Sequence, residues 1–126
     1  KYLDNYISSR QNAAEFYNQA FSNCKYLITP ANQAGSTHVF HQYTLKLVDT
    51  DRAALQKYLS DKGIPAMIYY PVPLHLQKAY QYLGHKKGEF PVAESLCDCV
   101  LSLPMHTELD EEQLKYIVES VLNYFD

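Results

Sequence analysis

Histidine and tyrosine side chains that could bind a polar ligand are concentrated in three short segments of the chain. The segments are HVFHQY at residues 38–43, YYPVPLH at residues 69–75 and LPMH at residues 103–106. Neutral imidazole and phenol groups can donate or accept hydrogen bonds to hydroxyl and phosphate groups without the desolvation cost of a full charge. Each segment lies on a predicted strand or just after one, where rigid scaffolds usually carry binding groups. The pattern therefore indicates a site for a polar, uncharged ligand such as a sugar.

Two roles remain open for the histidines of the first segment. His41 shares a predicted strand face with Val39 and Leu45, so it can be a hydrogen-bonded core residue or a ligand contact. His38 and His41 are three residues apart and are expected to point to opposite faces of that strand. None of the five histidines has the HxxxH spacing of a helical metal site. A histidine-based metal enzyme is therefore the third functional hypothesis, behind the two given below.

Motifs for several covalent and nucleotide-dependent chemistries are missing from the sequence. It contains no GxGxxG, GxxxxGK[ST] or GxSxG motif. The lysines lie mainly on polar helix faces or in turns, and none has the apolar, glycine- or serine-rich setting that holds a Schiff-base lysine at a lowered pKa. The sequence therefore predicts no catalytic residue in this chain.

Length and composition are those of one ordinary globular domain. The chain has 126 residues, of which 47% are hydrophobic and 20% are charged, and we expect a single domain over residues 1–126. The net charge of −3 disfavours a nucleic-acid partner, since such binding depends on clustered cationic charge. No apolar run approaches the length of a membrane-spanning helix, about 20 residues. Cys24, Cys97 and Cys99 are expected to be reduced thiols, the last two of them buried, which favours a cytoplasmic location.

Periodicity predicts helices that alternate with strands. The apolar face of the first helix is expected to hold Leu3, Ile7, Arg10, Ala14, Tyr17 and Phe21. Residues 24–37 are expected to form a loop that can contain a short strand. Strands are predicted over residues 38–48, 66–70 and 100–103. Helices are predicted over residues 3–21, from an N-cap at Thr50 to Gly63, over residues 74–83 and 91–98, and after a capping box of Asp110 and Gln113. The predicted fold is α/β of the α+β type, with about three strands and with helices packed on one face of the sheet.

Four motifs, in order along the chain, resemble those of a known enzyme family. Residues 38–109 contain the strings HVFHQYTLKL, DKGIPAMIYYPVPLHLQKAYQYLG and FPVAESLCDCVLSLPMHTEL. They match the patterns H-x-[FYW]-H-x-[YF], GI-x-x-x-x-x-YP-x-PLH, FP-x-AE and SLP-x-H-x-x-L. The opening segment also resembles a helix of the type LD-x-Y-x-x-x-R-x-x-A. In these features the chain resembles the C-terminal domain of the DegT/DnrJ-type nucleotide-sugar aminotransferases.

The resemblance implies a small C-terminal domain of a fold-type I aminotransferase that uses pyridoxal phosphate. The reaction would move an amino group, usually from glutamate, to a keto sugar carried on a nucleoside diphosphate. The implied partners are the nucleotide-sugar, a large domain that holds the cofactor and its Schiff-base lysine, and a second subunit of a homodimer. The chain opens at Lys1 without a methionine, which suggests a piece of a longer protein. We therefore expect no cofactor in this chain and no activity from it alone.

The resemblance also implies substrate-side residues. Tyr70, Pro71 and His75 match the YP-x-PLH segment, which lies near the sugar-nucleotide in the family. Tyr69 stands where the family often has histidine, so a catalytic role is not carried over to it. His38 and His41 match the H-x-x-H strand, whose second histidine is commonly near the active site or the subunit interface.

Two further motif residues, Glu94 and His106, are expected to be structural. Glu94 would complement the dipole of the helix that begins at Pro91 and cap its first turn.

Two hypotheses from different classes follow. The leading hypothesis is the substrate-side domain of an aminotransferase of this type. The other is a free-standing, non-catalytic α/β module that binds a small polar ligand or a protein. The residues that precede Lys1 would separate the two hypotheses, because only the first requires a cofactor domain upstream.

Overall fold

Three short antiparallel strands and four α-helices make up the computed structural model, which describes residues 1–126. The strands form one sheet in the order β1 (Leu27–Ile28), β2 (Tyr43–Leu47) and β3 (Val100–Leu103). The helices are α1 (Leu3–Phe21), α2 (Arg52–Asp61), α3 (Pro91–Cys99) and α4 (Glu111–Leu122). None of these helices has both the length and the apolarity that crossing a membrane requires.

The sheet buries one face, as the alternation of β2 predicts. Tyr43, Leu45 and Leu47 are buried, whereas Lys46 points to the other face and is exposed. The register pairs Tyr43 with Leu103 and Leu45 with Leu101, which extends the apolar face across β3. Helix α1 covers this face, because the ring of its Tyr17 packs 4.8 Å from the ring of Tyr43.

A single cluster of 19 buried apolar residues forms the core. Its members come from α1, α2, α4, the buried face of the sheet and the segments before β2 and after α2. Helix α3 supplies none of them, and no residue from 67 to 100 is buried. The predicted layer of helices on one face of a three-stranded sheet is thus confirmed, with α1, α2 and α4 as the helices that build the core.

Capping residues confirm most of the predicted helix ends. Asp110 and Gln113 form the predicted capping box at the start of α4, and Gly63 follows α2 with a positive φ of 75°. The predicted N-cap Thr50 is wrong. Asp51 caps α2, because its Oδ1 accepts hydrogen bonds from the N–H groups of Ala53 and Ala54.

The predicted strand over residues 38–48 is wrong in its first part, since β2 begins only at Tyr43. Phe40 has a positive φ of 48°, which breaks the extended conformation. Its side chain is only 4% exposed, whereas Val39 and His41 are exposed. This is the reverse of the predicted alternation, so His41 is not a core residue.

The predicted strand over residues 66–70 is also wrong. Only Met67 pairs with Ser102, through both of its backbone groups. The third strand of the sheet is β1, from the segment predicted to be a loop that can contain a short strand. Pro71 and Pro73 cannot donate to a ladder, which explains why the pairing of residues 66–70 does not continue.

Two further details of the region before β3 differ from the prediction. The predicted helix over residues 74–83 is a pair of 3-10 turns, Leu74–Leu76 and Lys78–Leu83, which Gln77 separates in an extended conformation. Gly84 ends the second turn with a φ of 76°. Cys97 and Cys99 are only partly buried, because α3 lies outside the core.

Alkaline pH is expected to destabilise the chain through its two buried phenols. Desolvation raises the pKa of Tyr17 and of Tyr43 well above the ordinary value, and the Tyr17 phenol and the Glu15 carboxylate add to the effect at Tyr43. Both phenols are therefore neutral in the folded state at a pH where the unfolded state ionises them. The contribution of each phenol to the free energy of unfolding is fully present below about pH 10. Above that pH the free energy of unfolding falls by about 1.4 kcal/mol per pH unit for each phenol.

Urea denaturation between pH 8 and 11.5 measures this loss. Tyr17→Phe should reduce the slope above pH 10 by about half, whereas Tyr82→Phe, at an exposed position, should leave it unchanged. Equal slopes in the two variants would contradict this assignment.

Candidate functional site

Arg10 joins three of the motif segments at one end of the sheet. Its Nη1 group lies 3.0 Å from the carbonyl oxygen of Phe40, 3.1 Å from that of His41 and 3.2 Å from that of Met105. Arg10 belongs to the opening helical motif, Phe40 and His41 to the H-x-F-H motif, and Met105 to the SLP-x-H motif. The backbone of both loops is irregular, so these carbonyl groups have no partner in a neighbouring strand. The guanidinium of Arg10 therefore donates to all three of them.

His75 and Glu94 join the two remaining motifs. His75 Nε2 lies 3.0 Å from Glu94 Oε1, and the two side chains are only 8% and 13% exposed. Glu94 also accepts hydrogen bonds from the N–H groups of Gly88, at 2.8 and 2.9 Å, and of Phe90, at 3.3 Å. Burial alone would raise the pKa of the Glu94 carboxyl, but these N–H groups and His75 outweigh it and hold that pKa below its ordinary value.

The ionised state of Glu94 determines which nitrogen of His75 carries a proton. A carboxylate can only accept, so Nε2 must be the donor and, in a neutral ring, Nδ1 is left as an acceptor. Glu94 therefore fills the structural role expected of it, although its partners are the N-cap residue Phe90, Gly88 and a histidine from another segment.

Phe90 lies between two histidine rings. Its ring centroid is 4.7 Å from that of His75 and 5.1 Å from that of His85. His85 Nδ1 in turn lies 2.8 Å from Glu89 Oε2. The His85 hydrogen bond, followed by the N–H of Lys86, lowers the pKa of Glu89. The arrangement gives the turn before α3 a fixed shape without burying it.

An apolar cleft of about 370 Å³ opens beside the His75–Glu94 pair. Its lining residues come from the 3-10 turns, the turn before α3 and α3 itself, and they are Leu74, His75, Tyr80, Leu83, His85, Phe90 and Ala93. The cleft therefore has imidazole groups in a wall that is otherwise apolar.

The predicted substrate-side residues fall into two groups. His38 and His41 precede β2 and lie beyond the Leu103 end of the sheet, where His38 Nδ1 accepts a hydrogen bond from the N–H of Phe40. Tyr69, Tyr70 and Pro71 are exposed, and the antiparallel bridge of Met67 with Ser102 leads them away from that end. No hydrogen bond or ring contact joins the two groups.

Tyr70 is 75% exposed and has a positive φ of 55°, which is uncommon for a bulky residue. Its phenol is therefore presented to solvent by a strained backbone, a combination that is typical of functional loops. His106, by contrast, interacts only with its near neighbour Glu108, with Nδ1 3.5 Å from Glu108 Oε2.

The residues of this chain do not fit a pyridoxal phosphate site. Every lysine is exposed, and Lys57 and Lys115 pair with Asp61 and Glu111. The hydrogen bond that Lys115 donates to Glu111 raises the pKa of Lys115, whereas a Schiff-base lysine needs a lowered pKa. No group of three or more His, Cys, Asp or Glu side chains is placed to hold a metal ion.

Sequence reasoning did not identify the role of Arg10. It placed Arg10 on the apolar face of α1, and a cation in an apolar stripe was the available signal that a buried partner existed. The partners lie 30, 31 and 95 residues away, so spacing alone could not name them.

Comparison with protein families gives one clear match. The model of the DegT/DnrJ/EryC1/StrS aminotransferase family matches residues 1–122. Among curated proteins, the pleiotropic regulatory protein of Geobacillus stearothermophilus is 40% identical over 126 residues, covering 98% of this chain and 33% of that protein. The UDP-N-acetyl-3-dehydro-α-D-glucosamine 3-aminotransferase of Acidithiobacillus ferrooxidans is 40% identical over 116 residues, covering 92% and 30%.

Solved structures agree with this match. DesV of S. venezuelae, solved in complex with a ketimine intermediate, superimposes with a TM-score of 0.91 at 28% identity, covering 98% of this chain and 33% of that one. A DegT DnrJ EryC1 StrS aminotransferase of Brucella abortus gives a TM-score of 0.86 at 34% identity, covering 98% and 32%. The chain thus spans about a third of the length of the relatives that it matches.

Proposed function

The chain belongs to the DegT/DnrJ/EryC1/StrS aminotransferase family, and we propose that it is the C-terminal, substrate-side domain of a pyridoxal-phosphate enzyme that aminates a nucleotide-linked keto sugar. Glutamate is the proposed amino donor. The observation that carries the proposal is the close superposition of nearly the whole chain on one third of DesV, which was solved in complex with a ketimine intermediate. The 40% identity to an aminotransferase of a UDP-linked keto sugar supports the substrate class.

The proposal assigns the cofactor to another part of the longer protein. The lysines support this assignment, since all are exposed and none offers a desolvated amine for a Schiff base. We propose the large domain of the same polypeptide and a second subunit as partners. A cytoplasmic location stays a prediction, and the free thiols of Cys24, Cys97 and Cys99 support it.

Six residues are proposed for the substrate side. The exposed phenols of Tyr69 and Tyr70 can donate hydrogen bonds to a sugar or a phosphate, and the ring of Pro71 restricts the backbone behind them. His38 and His41 are exposed at the other end of the sheet, where the homodimer would bring them to a substrate. His75 is the sixth residue of the set, and its surroundings differ from those of the other five.

We expect this chain alone to form no lysine-dependent aldimine with added pyridoxal phosphate. The reason is that each of its lysines is exposed to solvent, so none has the desolvated setting of a Schiff-base lysine. Absorption spectra recorded during a titration with the cofactor measure the result. A saturable aldimine band that one lysine substitution removes would contradict the assignment of the cofactor to another domain.

The full-length protein is the matching positive test. It should form such a band and should aminate UDP-N-acetyl-3-dehydro-α-D-glucosamine, which we take as the probe sugar because a relative at 40% identity is named for it. A full-length protein that binds the cofactor but rejects the probe sugar would overturn that choice of substrate. A full-length protein without any cofactor domain would instead favour a free-standing, non-catalytic binding module.

A further inference from the structure

Residues 67–99, which we call the arm, contribute no buried residue to the core. The core cluster skips from Ala66 to Leu101, and the arm carries ten of the sixteen large apolar side chains that are exposed. At its base the arm is joined to the sheet by the Met67–Ser102 bridge and by hydrogen bonds from Arg52 to the carbonyl groups of Cys97 and Val100. Ile68 also packs against the core and α3 contacts β2, but from Tyr69 to Phe90 every side-chain hydrogen bond is made within the arm.

The His75–Glu94 pair is the central contact of that kind. It joins the 3-10 turns to α3 across 19 residues of sequence, and Glu94 ties in the turn before α3 through Gly88 and Phe90. Most other polar side-chain contacts in the arm join residues three to six apart. Loss of this pair would therefore remove the hydrogen bond that joins the segment of the 3-10 turns to the segment of α3.

The position of His75 argues against direct contact with a substrate. Its side chain is 8% exposed, Nε2 is committed to Glu94, and its ring packs on Phe90. Tyr69 and Tyr70, five or six residues earlier in the chain, have the opposite character, since both are exposed. The group that can reach a ligand and the group that is fixed in place are thus different residues of one segment.

We infer that His75 and Glu94 are positioning residues, and that their hydrogen bond holds the arm in the conformation that presents Tyr69 and Tyr70 to the nucleotide-sugar. The inference rests on the proposed function for the identity of the ligand. It assigns the effect of His75 to donation from Nε2 and requires no proton transfer and no contact between its imidazole and the sugar. Any side chain that donates a hydrogen bond to Glu94 from the same position should then keep the arm in this conformation.

Kinetics of the full-length enzyme with the probe sugar test this role. His75→Ala and Glu94→Ala should each lower kcat/KM for the sugar at least tenfold, mainly through KM, and leave the half-reaction with the amino donor unchanged. The double variant should be no worse than Glu94→Ala alone, because removing Glu94 already removes the hydrogen bond to His75. His75→Gln, which keeps a donor, should retain activity within about threefold of wild type.

The His85–Glu89 pair provides a matched control. It is the same kind of pair, but its side chains are 38% and 45% exposed and its partners are only four residues apart. His85→Ala should change kcat/KM by less than about twofold, since exposed pairs contribute little. If His75→Gln were as defective as His75→Ala, or if the two alanine substitutions multiplied in the double variant, the imidazole would be a direct substrate ligand and the inference would be overturned.

Hydrogen exchange on the same full-length variants separates this inference from the proposed function. In His75→Ala, the amides of Gly88 and Phe90 should exchange at least tenfold faster, although His75 does not bond to them, while those of Tyr43–Leu47 keep their wild-type rates. The melting temperature should stay within about 2 °C, because the arm supplies no buried residue to the core. Unchanged exchange in the arm would overturn the positioning role even if the probe sugar proved to be no substrate.

Discussion

Arg10→Met is expected to lower the free energy of unfolding by about 3 kcal/mol. Methionine keeps an apolar side chain of similar length but removes the donor shared by the carbonyl groups of Phe40, His41 and Met105. Hydrogen bonds to a charged group contribute about 1.5–3 kcal/mol each, and these three share one nitrogen and are partly solvated, so the sum is smaller than three separate bonds. Urea denaturation at pH 7 measures the loss.

Lys57→Met is the control for Arg10→Met. It also replaces a cation with methionine, but Lys57 forms only an exposed pair with Asp61 on α2. Such i,i+4 pairs contribute about 0.3–0.5 kcal/mol. A loss of similar size in the two variants would show that Arg10 is an ordinary surface cation.

Tyr17→Ala is expected to be the most destabilising of the substitutions considered, at about 4 kcal/mol. The ring of Tyr17 is fully buried, stacks on Phe21 at 5.9 Å and packs on Tyr43 at 4.8 Å, so alanine would leave a cavity at the junction of α1 and the sheet. Large-to-small changes of aromatic core residues cost about 3–5 kcal/mol. Small domains have total stabilities of about 5–15 kcal/mol, so this single change should remove about a quarter to four-fifths of the total.

Tyr17→Phe separates the cavity from the hydroxyl group. It keeps the ring and removes only the hydrogen bond from the phenol to the carbonyl oxygen of Pro104, 3.1 Å long. We expect a loss of about 1 kcal/mol at pH 7. Circular dichroism melts of both variants measure the difference, and losses of equal size would contradict a packing role for the ring.

Sequence patterns predicted the structure correctly where the interactions that determine it lie within one short segment. The capping box of Asp110 and Gln113 and the glycine after α2 act within a few residues, so the sequence pattern predicted both. The alternation of β2 was also correct from Tyr43 onward, because one face of the strand is buried against α1.

Long-range partners explain where local rules failed. Residues 38–42 do not form the predicted strand. Arg10, some 30 residues earlier in the chain, supplies the hydrogen-bond donor that a neighbouring strand would have supplied. The two residues of β1 are too few to produce a periodic signal. His75 and Glu94 were each recognised as motif residues, but nothing in their spacing of 19 residues indicated that they bind each other.

Between β2 and β3 the chain makes a long excursion, residues 48–99, before the two strands pair. The entropy lost in closing such a loop grows only with the logarithm of its length, so doubling or halving it changes the closure cost by about 0.6 kcal/mol. The arm forms most of this excursion and supplies none of the buried core residues, although Ile68 packs against them. Insertions, deletions and substitutions in the arm should therefore change the free energy of unfolding little, as long as the contacts at its base are kept. Proteins that share the three strands can therefore vary the exposed surface of the arm while the domain beneath it stays the same.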